Sequence, residues 1–265
     1  MTEHDTGQVA ASAAEIYESF FVPALFAGWP AHVLAAATVG PGDHVLDVAC
    51  GTGILARAAL DRVGASGSVT AIDMNDGMLA VARQRSAAVT WHRGDACALP
   101  FADNEFDRVV SQFGLMFFPD RPRALQEMRR VTRDGGRIAV AVWGSLADTP
   151  GYAAMSALLL DLFGADVANS LAAPYSLGDR DMLASLCAEA GIDDAHIETI
   201  VGRAQFASLD AWLYTDIRGW TLANIINDAD YARLTAAATE RLSSFVNDDG
   251  GVSFAAPAHV VSFTA

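Results

Sequence analysis

The residues with the clearest chemical potential form a glycine turn, Gly51-Thr52-Gly53, that follows the short apolar run 44–49. Because glycine has no Cβ, the backbone of such a turn can approach a ligand closely, and a helix that starts there presents unpaired N–H groups. An acidic residue, Asp73, ends the next apolar run, 20 residues after Gly53. A carboxylate at that place can accept hydrogen bonds from both ribose hydroxyls of an adenosine. Together the turn and the acid predict a nucleoside site. Taken alone, each feature has another interpretation: the turn can serve tight packing, and an Asp at this place can favour a helix N-terminus.

Two adenosine cofactors are compatible with this pattern, NAD(P) and S-adenosylmethionine (SAM). An NAD(P) enzyme places a pyrophosphate at the helix N-terminus. Asp47 lies just before the turn and would put a negative charge beside the pocket, which disfavours a diphosphate and favours the cationic ammonium and sulfonium of SAM. An NAD(P)-binding oxidoreductase stays open as the alternative, although the chain contains no Tyr-x-x-x-Lys sequence.

Four segments carry a family resemblance: 45–53 (VLDVACGTG), 71–79 (AIDMNDGML), 94–107 (GDACALPFADNEFD) and 125–143 with its Gly-Gly pair. In order and spacing they resemble the motifs of class I SAM-dependent methyltransferases, in the branch of the ubiquinone/menaquinone-biosynthesis methyltransferases. The match spans residues 40–143. It implies an enzyme that uses SAM, releases S-adenosylhomocysteine and holds no metal.

The resemblance also implies which residues hold the cofactor. Asp47 and the turn 49–53 would bind the methionine part, Asp73 would bind the ribose, and Gln112 would lie near the sulfonium. The full implied set is Tyr17, Trp29, Asp47, Ala49, Cys50, Gly51, Thr52, Gly53, Asp73, Met74, Met78, Gly94, Asp95, Ala96 and Gln112.

Other members of this set would surround the adenine. Met74 and Met78 would pack near it, Asp95 would accept from its amino group, and Ala96 would present a backbone N–H. The two aromatic members would be lids over the cofactor. For these aromatic residues and for the methionine pair, ordinary core packing is an equally good interpretation.

Methyl transfer from SAM is an in-line displacement from a strong leaving group, so most of the catalysis can come from alignment and from exclusion of water. A general base would add about 10²–10⁴-fold for an alcohol or a carbon acid. His32 and Tyr175 are the candidates for such a base. The six histidines show no metal-binding or triad spacing, and Cys50 fits better as a small packing residue than as a nucleophile.

The elements that must position these residues alternate between strands and helices. Strands are predicted at 44–49, 68–73, 89–95, 106–112, 137–143, 197–207 and 252–263, with a turn at 134–136. Helices are predicted over 8–38, from the glycine turn to 63, at 75–87 with Asn75 as N-cap, at 121–131, across most of 150–190, at 208–221 and at 228–245. This alternation implies βαβ crossovers and a parallel sheet. We therefore predict an α/β Rossmann-like fold: a seven-stranded, mostly parallel sheet with helices on both faces and a helical cap inserted in the C-terminal half.

The chain is expected to form one methyltransferase domain over residues 1–265. Within it, residues 1–39 would be N-terminal helices, 40–145 the SAM-binding core, and 146–265 an acceptor cap with the last strands of the sheet. The segments 150–190 and 208–247 are expected to cover the active-site edge. The apolar, acidic character of residues 145–265 favours a small, apolar acceptor that is methylated on oxygen, carbon or nitrogen.

The composition limits the classes of binding partner that the sequence favours. The formal net charge is −15 and Lys/Arg-rich runs are lacking, which argues against nucleic acid because phosphate neutralisation supplies most of that affinity. Three widely spaced cysteines and the absence of a signal-like start favour the reducing cytoplasm and no membrane span. A homodimer and a non-catalytic SAM-binding protein stay open as alternatives.

Overall fold

The computed structural model describes residues 11–219, 222 and 225–265. The predicted helix positions 8–10, 220 and 221 lie outside the described residues, as does His4.

Seven strands form one sheet in the order β3-β2-β1-β4-β5-β7-β6. Strands β1 to β5 pair in parallel, and β7 runs antiparallel to both of its neighbours. This confirms the predicted seven-stranded, mostly parallel sheet. The strands are β1 (His44–Val48), β2 (Ser68–Asp73), β3 (Thr90–Arg93), β4 (Phe106–Gln112), β5 (Thr132–Trp143), β6 (His196–Phe206) and β7 (Val252–Thr264).

Five of the ten α-helices of the described residues begin at a side-chain cap. Asn75, Asp120, Asp179, Ser208 and Asn227 each accept a hydrogen bond from the backbone N–H three residues ahead, which satisfies an otherwise unpaired donor of the first turn. The α-helices are α1 (Ala11–Ile16), α2 (Pro30–Ala36), α3 (Ile54–Val63), α4 (Asp76–Arg85), α5 (Arg121–Val131), α6 (Pro150–Phe163), α7 (Ala165–Ala172), α8 (Arg180–Glu189), α9 (Leu209–Arg218) and α10 (Asp228–Arg241).

The N-terminal segment differs from the single helix predicted there. A π-helix, Tyr17–Phe26, follows α1 and contains Pro23, and α2 begins at Pro30. Proline has no N–H to donate and its ring crowds the preceding turn, so the regular helix gives way to a wider turn. The chain bends by 66° between the two parts. The π-helix packs on β6 and α9 and so lies at the same edge of the molecule as the C-terminal insertions.

Two further differences concern β5 and α8. The turn predicted at 134–136 lies inside β5 as a bulge, where the register against β4 shifts between Phe106 and Arg108. Gly135 adopts φ +74° there, so the strand bends without ending. Helix α8, which we expected to cover the site, packs on α5 and leads the chain back into the sheet at β6.

No single helix of the described residues is both long and apolar enough to cross a bilayer. The bent pair Ala14–Phe26 and Pro30–Ala36 reaches the required length and composition only when the two parts are taken together.

A buried carboxylate ties α5 to the loop that follows β3. Glu127 is 2% exposed and accepts hydrogen bonds from Arg130, Arg123 and the backbone N–H of Leu99, at 2.8–3.0 Å. The hydrogen bonds from Arg130 hold the pKa of Glu127 below its ordinary value. Because the ionised form is favoured in the folded state, this carboxylate stabilises the fold at neutral pH.

Glu127→Gln should lower the free energy of unfolding by about 1–3 kcal/mol at pH 7, because charge-assisted hydrogen bonds are lost. A depressed folded pKa contributes stability above the unfolded pKa, about 4.3, and loses it as pH falls through the folded pKa. Urea unfolding at several pH values should therefore show the deficit shrinking below about pH 4. The control is Glu189→Gln, at an exposed position of α8. An equal deficit at all pH values would contradict this account of Glu127.

Candidate cofactor and acceptor site

A cavity of about 430 Å³ lies at the carboxyl ends of β1, β2 and β4, beside the loop that follows β3. The strand order reverses between β1 and β4, which is where open parallel sheets bind their ligands. Thirteen of the fifteen residues predicted to hold a cofactor line this cavity; Trp29 and Gly53 do not.

The glycine turn after β1 owes its shape to left-handed backbone. Ala49, Gly51 and Gly53 have φ of +57°, +56° and +86°, values that glycine adopts at little cost. The Asp73 carboxylate accepts the Gly51 N–H through Oδ2 and the Asn75 N–H through Oδ1, each at 2.8 Å. Asp73 therefore fixes the turn while it lines the cavity.

Gly53 has a packing role instead of a lining one. A Cβ built there would collide with the indole ring of Trp91, and Gly53 is the N-cap of α3. The absence of a side chain thus lets the start of α3 approach the Trp91 ring of β3 closely; the last glycine of such turns allows close helix–strand packing.

Asp47 is the most unusual group in the cavity. Its side chain is fully buried, it lines the cavity, and neither carboxylate oxygen makes a hydrogen bond of ordinary geometry with the described residues. Burial, and then the nearby charge of Asp73, raise the pKa of Asp47 well above its ordinary value, against a smaller opposing effect of the Ala56 backbone N–H. Since an unpaired buried acid is costly, a cationic ligand group would relieve that cost and a diphosphate would increase it.

Two more buried oxygen atoms without hydrogen bonds belong to residues that line this cavity. Thr52 Oγ1 and Gln112 Oε1 make no hydrogen bond with the described residues, and both residues line the cavity. The Gln112 side chain is held by its Nε2, which donates to the Phe26 carbonyl of the π-helix at 3.4 Å. The polar end of the cavity therefore offers oxygen acceptors beside one buried acid.

The remaining predicted cofactor residues surround the opposite part of the cavity. Met74 is 49% exposed at the rim, whereas Met78 is buried against Ala14. The Asp95 side chain accepts the Cys97 N–H at 2.8 Å, which shapes the loop after β3. Cys50, in the turn after β1, is buried and packs as expected for a small apolar residue.

The two predicted lids have different positions. Tyr17, at the start of the π-helix, lines the cavity and stacks on Phe26 with ring centroids 5.2 Å apart. Trp29 lies in the core, edge-on to Phe113 at 5.5 Å and to Trp143 at 5.8 Å, and is 3% exposed. Of the two interpretations given for Trp29, this position favours core packing over a lid on the cofactor.

A second, smaller cavity of about 60 Å³ shares three aromatic walls with the first: Tyr17, Phe113 and Phe117. Its other walls are mainly apolar and come from the π-helix, β5, α6, α7 and α9. Asp216, of α9, is the acidic residue in this lining; Tyr152 Oη donates to its Oδ1 at 3.0 Å.

Phe113 lines both cavities and was missed by sequence reasoning. It follows β4 with φ +58°, a conformation that is costly for a bulky side chain and tends to occur at functional sites. Its ring stacks on Trp143 at 3.8 Å and 9°, and its N–H donates to the Ala141 carbonyl. Nothing in the local sequence signals this backbone conformation, because it is imposed by packing.

The two candidate bases, His32 and Tyr175, lie in different surroundings. His32 is exposed on α2 and lines neither cavity, so the structure gives its assignment as a base no support. Tyr175 lines the second cavity, but burial and the charge of Asp216 raise the pKa of Tyr175 well above its ordinary value, which makes it a poor base. Asp216 was missed, although a lone acid among the buried residues of α9, with Trp212 and Ile217 as neighbours, is a readable signal.

Comparison with known proteins identifies the chemistry of this arrangement. A family model described as a methyltransferase domain matches residues 45–136. The chain is 40% identical over 178 residues to the ubiquinone/menaquinone biosynthesis C-methyltransferase of Bordetella avium, covering 62% of this chain and 70% of that protein. It is 34% identical over 215 residues to the protein of the same name from Stenotrophomonas maltophilia, covering 74% and 85%. A demethylmenaquinone methyltransferase of Staphylococcus epidermidis is 34% identical over 188 residues, covering 66% and 78%.

Solved structures share the fold at low identity. A phosphoethanolamine N-methyltransferase of Haemonchus contortus in complex with SAM matches all of this chain and 60% of its own, with a TM-score of 0.63 and 18% identity. The YcgJ protein of Bacillus subtilis gives a TM-score of 0.57 at 19% identity, covering 88% and 96%. The [4+2]-cyclase SpnF gives 0.51 at 20% identity, covering 90% and 81%. These likenesses establish the fold alone.

The sequence identity to curated methyltransferases, over most of their length, decides between the two adenosine cofactors in favour of SAM. The chain belongs to the class I SAM-dependent methyltransferases, in the branch of the ubiquinone/menaquinone-biosynthesis C-methyltransferases, and acts on a small molecule.

Proposed function

We propose that this enzyme transfers the methyl group of SAM to a small, apolar aromatic acceptor that carries a hydroxyl group. The observation that carries the proposal is a pair of cavities that share three aromatic lining residues. The larger one holds an unpartnered buried acid and the glycine turn, and the smaller one is walled by aromatic rings.

In this proposal the buried acid meets the cationic end of SAM. Asp47 would receive the ammonium group, and Thr52 and Gln112 would accept further hydrogen bonds beside it. Asp73 would accept from the ribose hydroxyls, and Asp95 and the Ala96 backbone would contact the adenine. The residues present therefore fit the cofactor in charge as well as in place.

The proposed acceptor class follows from the second cavity and from the relatives. Relatives at 34–40% identity are named for the biosynthesis of ubiquinone and menaquinone. The aromatic walls favour a flat apolar ring, and the formal net charge of −15 disfavours a polyanionic acceptor such as nucleic acid. Whether carbon or oxygen receives the methyl group will be read from the NMR spectrum of the product.

The chain's own contribution to catalysis would be to align the acceptor with the methyl group and to exclude water. Tyr17, Phe113 and Phe117 stand where the cavities meet, so they would direct the methyl group toward the acceptor and keep water away. SAM supplies the activated methyl group, and turnover should persist in EDTA. Three free thiols, Cys50, Cys97 and Cys187, suit a reducing cytoplasm.

Calorimetric titration should give micromolar binding of SAM and of S-adenosylhomocysteine, and none of NAD, because Asp47 favours a cation at the methionine end. The three ligands are titrated in parallel into the same preparation. Binding of NAD alone would contradict the proposed use of the cavity.

Asp73→Ala should weaken SAM binding by about 1–3 kcal/mol, through the loss of ribose hydrogen bonds and of the Gly51 N–H anchor. The matched control is Asp76→Ala, an acid three residues later that is exposed and pairs with Arg93. Calorimetry gives the affinities, and thermal unfolding verifies that both variants are folded. Unchanged affinity in the folded Asp73 variant would refute this role.

SAM affinity should fall as pH decreases from 7 toward 5. The pKa of Asp47 is raised in the free protein, so at lower pH the carboxyl group must lose a proton before it can pair with the ammonium. Asp47→Asn should bind SAM more weakly at pH 7 and with a flatter pH dependence. A wild-type affinity that is constant over this range would rule out Asp47 as the ammonium partner.

A further inference from the structure

We propose that Asp216 is the base that removes the hydroxyl proton of the acceptor, and that Tyr152 is the residue that positions it. This inference rests on the proposed function and assigns a catalytic group in the insertion after β6. Neither the family model, which ends at residue 136, nor the motifs of the cofactor half include these residues.

The geometry leaves one oxygen of Asp216 available to a ligand. Asp216 is 4% exposed and lines the second cavity. Its Oδ1 accepts the hydroxyl of Tyr152 at 3.0 Å, and its Oδ2 has no hydrogen-bond partner among the described residues. A buried acceptor without a partner is costly, so an acceptor hydroxyl that donates to Oδ2 would complete the site.

The groups facing Asp216 keep it available as a proton acceptor. Tyr152 of α6 and Tyr175 of the 3₁₀ turn Ala173–Tyr175 have pKa values raised well above their ordinary value, mainly by burial, so both stay protonated at neutral pH. The indole N–H of Trp212, on the same helix, makes no hydrogen bond of ordinary geometry. No cationic side chain of the described residues hydrogen-bonds either oxygen of Asp216.

The charge state of Asp216 suits this task. Burial raises the pKa of Asp216 to about 7, and the Tyr152 hydroxyl and the nearby indole N–H of Trp212 oppose that shift only in part. A carboxylate with a pKa near the working pH is a far better base than an ordinary aspartate and is still ionised in a large fraction of the molecules. The same burial excludes water that would otherwise compete for the proton.

The cavity that holds Asp216 also meets the cofactor cavity. Tyr17, Phe113 and Phe117 belong to both linings, so a ring bound between them can face the transferable methyl group while its hydroxyl faces α9. The hydroxyl proton passes to Asp216 Oδ2, the acceptor's electron pair forms the bond to the methyl carbon, and the C–S bonding pair stays on sulfur, which becomes a neutral thioether. For transfer to a ring carbon, that carbon then releases its proton to water while the oxygen recovers a proton from Asp216.

Tyr152 is anchored well enough to position the carboxylate. Its ring packs edge-on to Phe254 at 5.4 Å and to Trp212 at 6.0 Å, and it is 3% exposed. Because its hydroxyl can reach Asp216 Oδ1 in this packing, Tyr152 selects the orientation in which Oδ2 is left for the acceptor.

The test is the pH dependence of kcat, measured with the full chain saturated with SAM and with 1-naphthol as the acceptor. In wild type kcat should rise with pH as Asp216, whose pKa is about 7 in the free protein, loses its proton. Asp216→Asn should abolish this dependence, because the asparagine preserves the hydrogen bond to Tyr152 but cannot take the proton. Asp210→Asn, an exposed position on the same helix, should behave like wild type. Tyr152→Phe should shift the rise in kcat to higher pH, since Tyr152 lowers the pKa of Asp216.

The size of kcat provides the second readout. On a panel of catechol, resorcinol, hydroquinone and 1-naphthol, Asp216→Asn should lower kcat by about 10²–10⁴-fold with an unchanged Kd for SAM. The same kcat and the same pH dependence in wild type and Asp216→Asn would overturn the assignment of Asp216. Failure of the proposed function is seen separately, as SAM binding without methyl transfer to any member of the panel by wild type.

Discussion

One carboxylate holds the functional edge of the sheet together. Asp73 accepts a backbone N–H from the turn after β1 and another from the start of α4, so the ends of two adjacent parallel strands are fixed to each other. The left-handed turn at Gly51 depends on that bond, and the floor of the cofactor cavity depends on the turn. The fold thus uses for its own stability the same side chain that we propose for the ribose, which couples the shape of the site to its occupancy.

The molecule also retains two buried acids that its own residues do not satisfy. Asp47 lines one cavity and Asp216 the other, and each has carboxylate oxygen without a partner among the described residues. Burying an acid without a partner costs free energy, whereas Glu127, equally buried, is surrounded by arginine and backbone donors. Glu127 is therefore a structural carboxylate, whereas Asp47 and Asp216 are organised for ligands. A bound ligand would supply the hydrogen-bond partners that these two acids lack.

Sequence reasoning was accurate where local pattern decides the structure. Strands β2 and β4 and helix α5 match their predicted bounds, Asn75 caps α4, and β7 closes the sheet as the last strand. The cofactor cavity was predictable for the same reason, since its residues follow strand ends whose apolar runs are readable. The break of the N-terminal helix was missed because apolar spacing does not reveal how Pro23 alters the turns around it. The sequence left the role of Trp29 open and missed Phe113, because the direction of each ring is set by tertiary packing and, for Phe113, by a left-handed backbone angle.

The acceptor side was less predictable because it is assembled from distant parts of the chain. The π-helix contributes Tyr17, the loop after β4 contributes Phe113, and α6 and α9 contribute the Tyr152–Asp216 pair. None of these elements lies next to another in sequence, so their meeting is a property of the tertiary structure. The cofactor side, in contrast, uses only the turns that follow consecutive strands. Such a division lets the insertions change the acceptor without disturbing the sheet, and it explains why the family motifs identify the methyl donor while the residue that we propose as the base lies outside them.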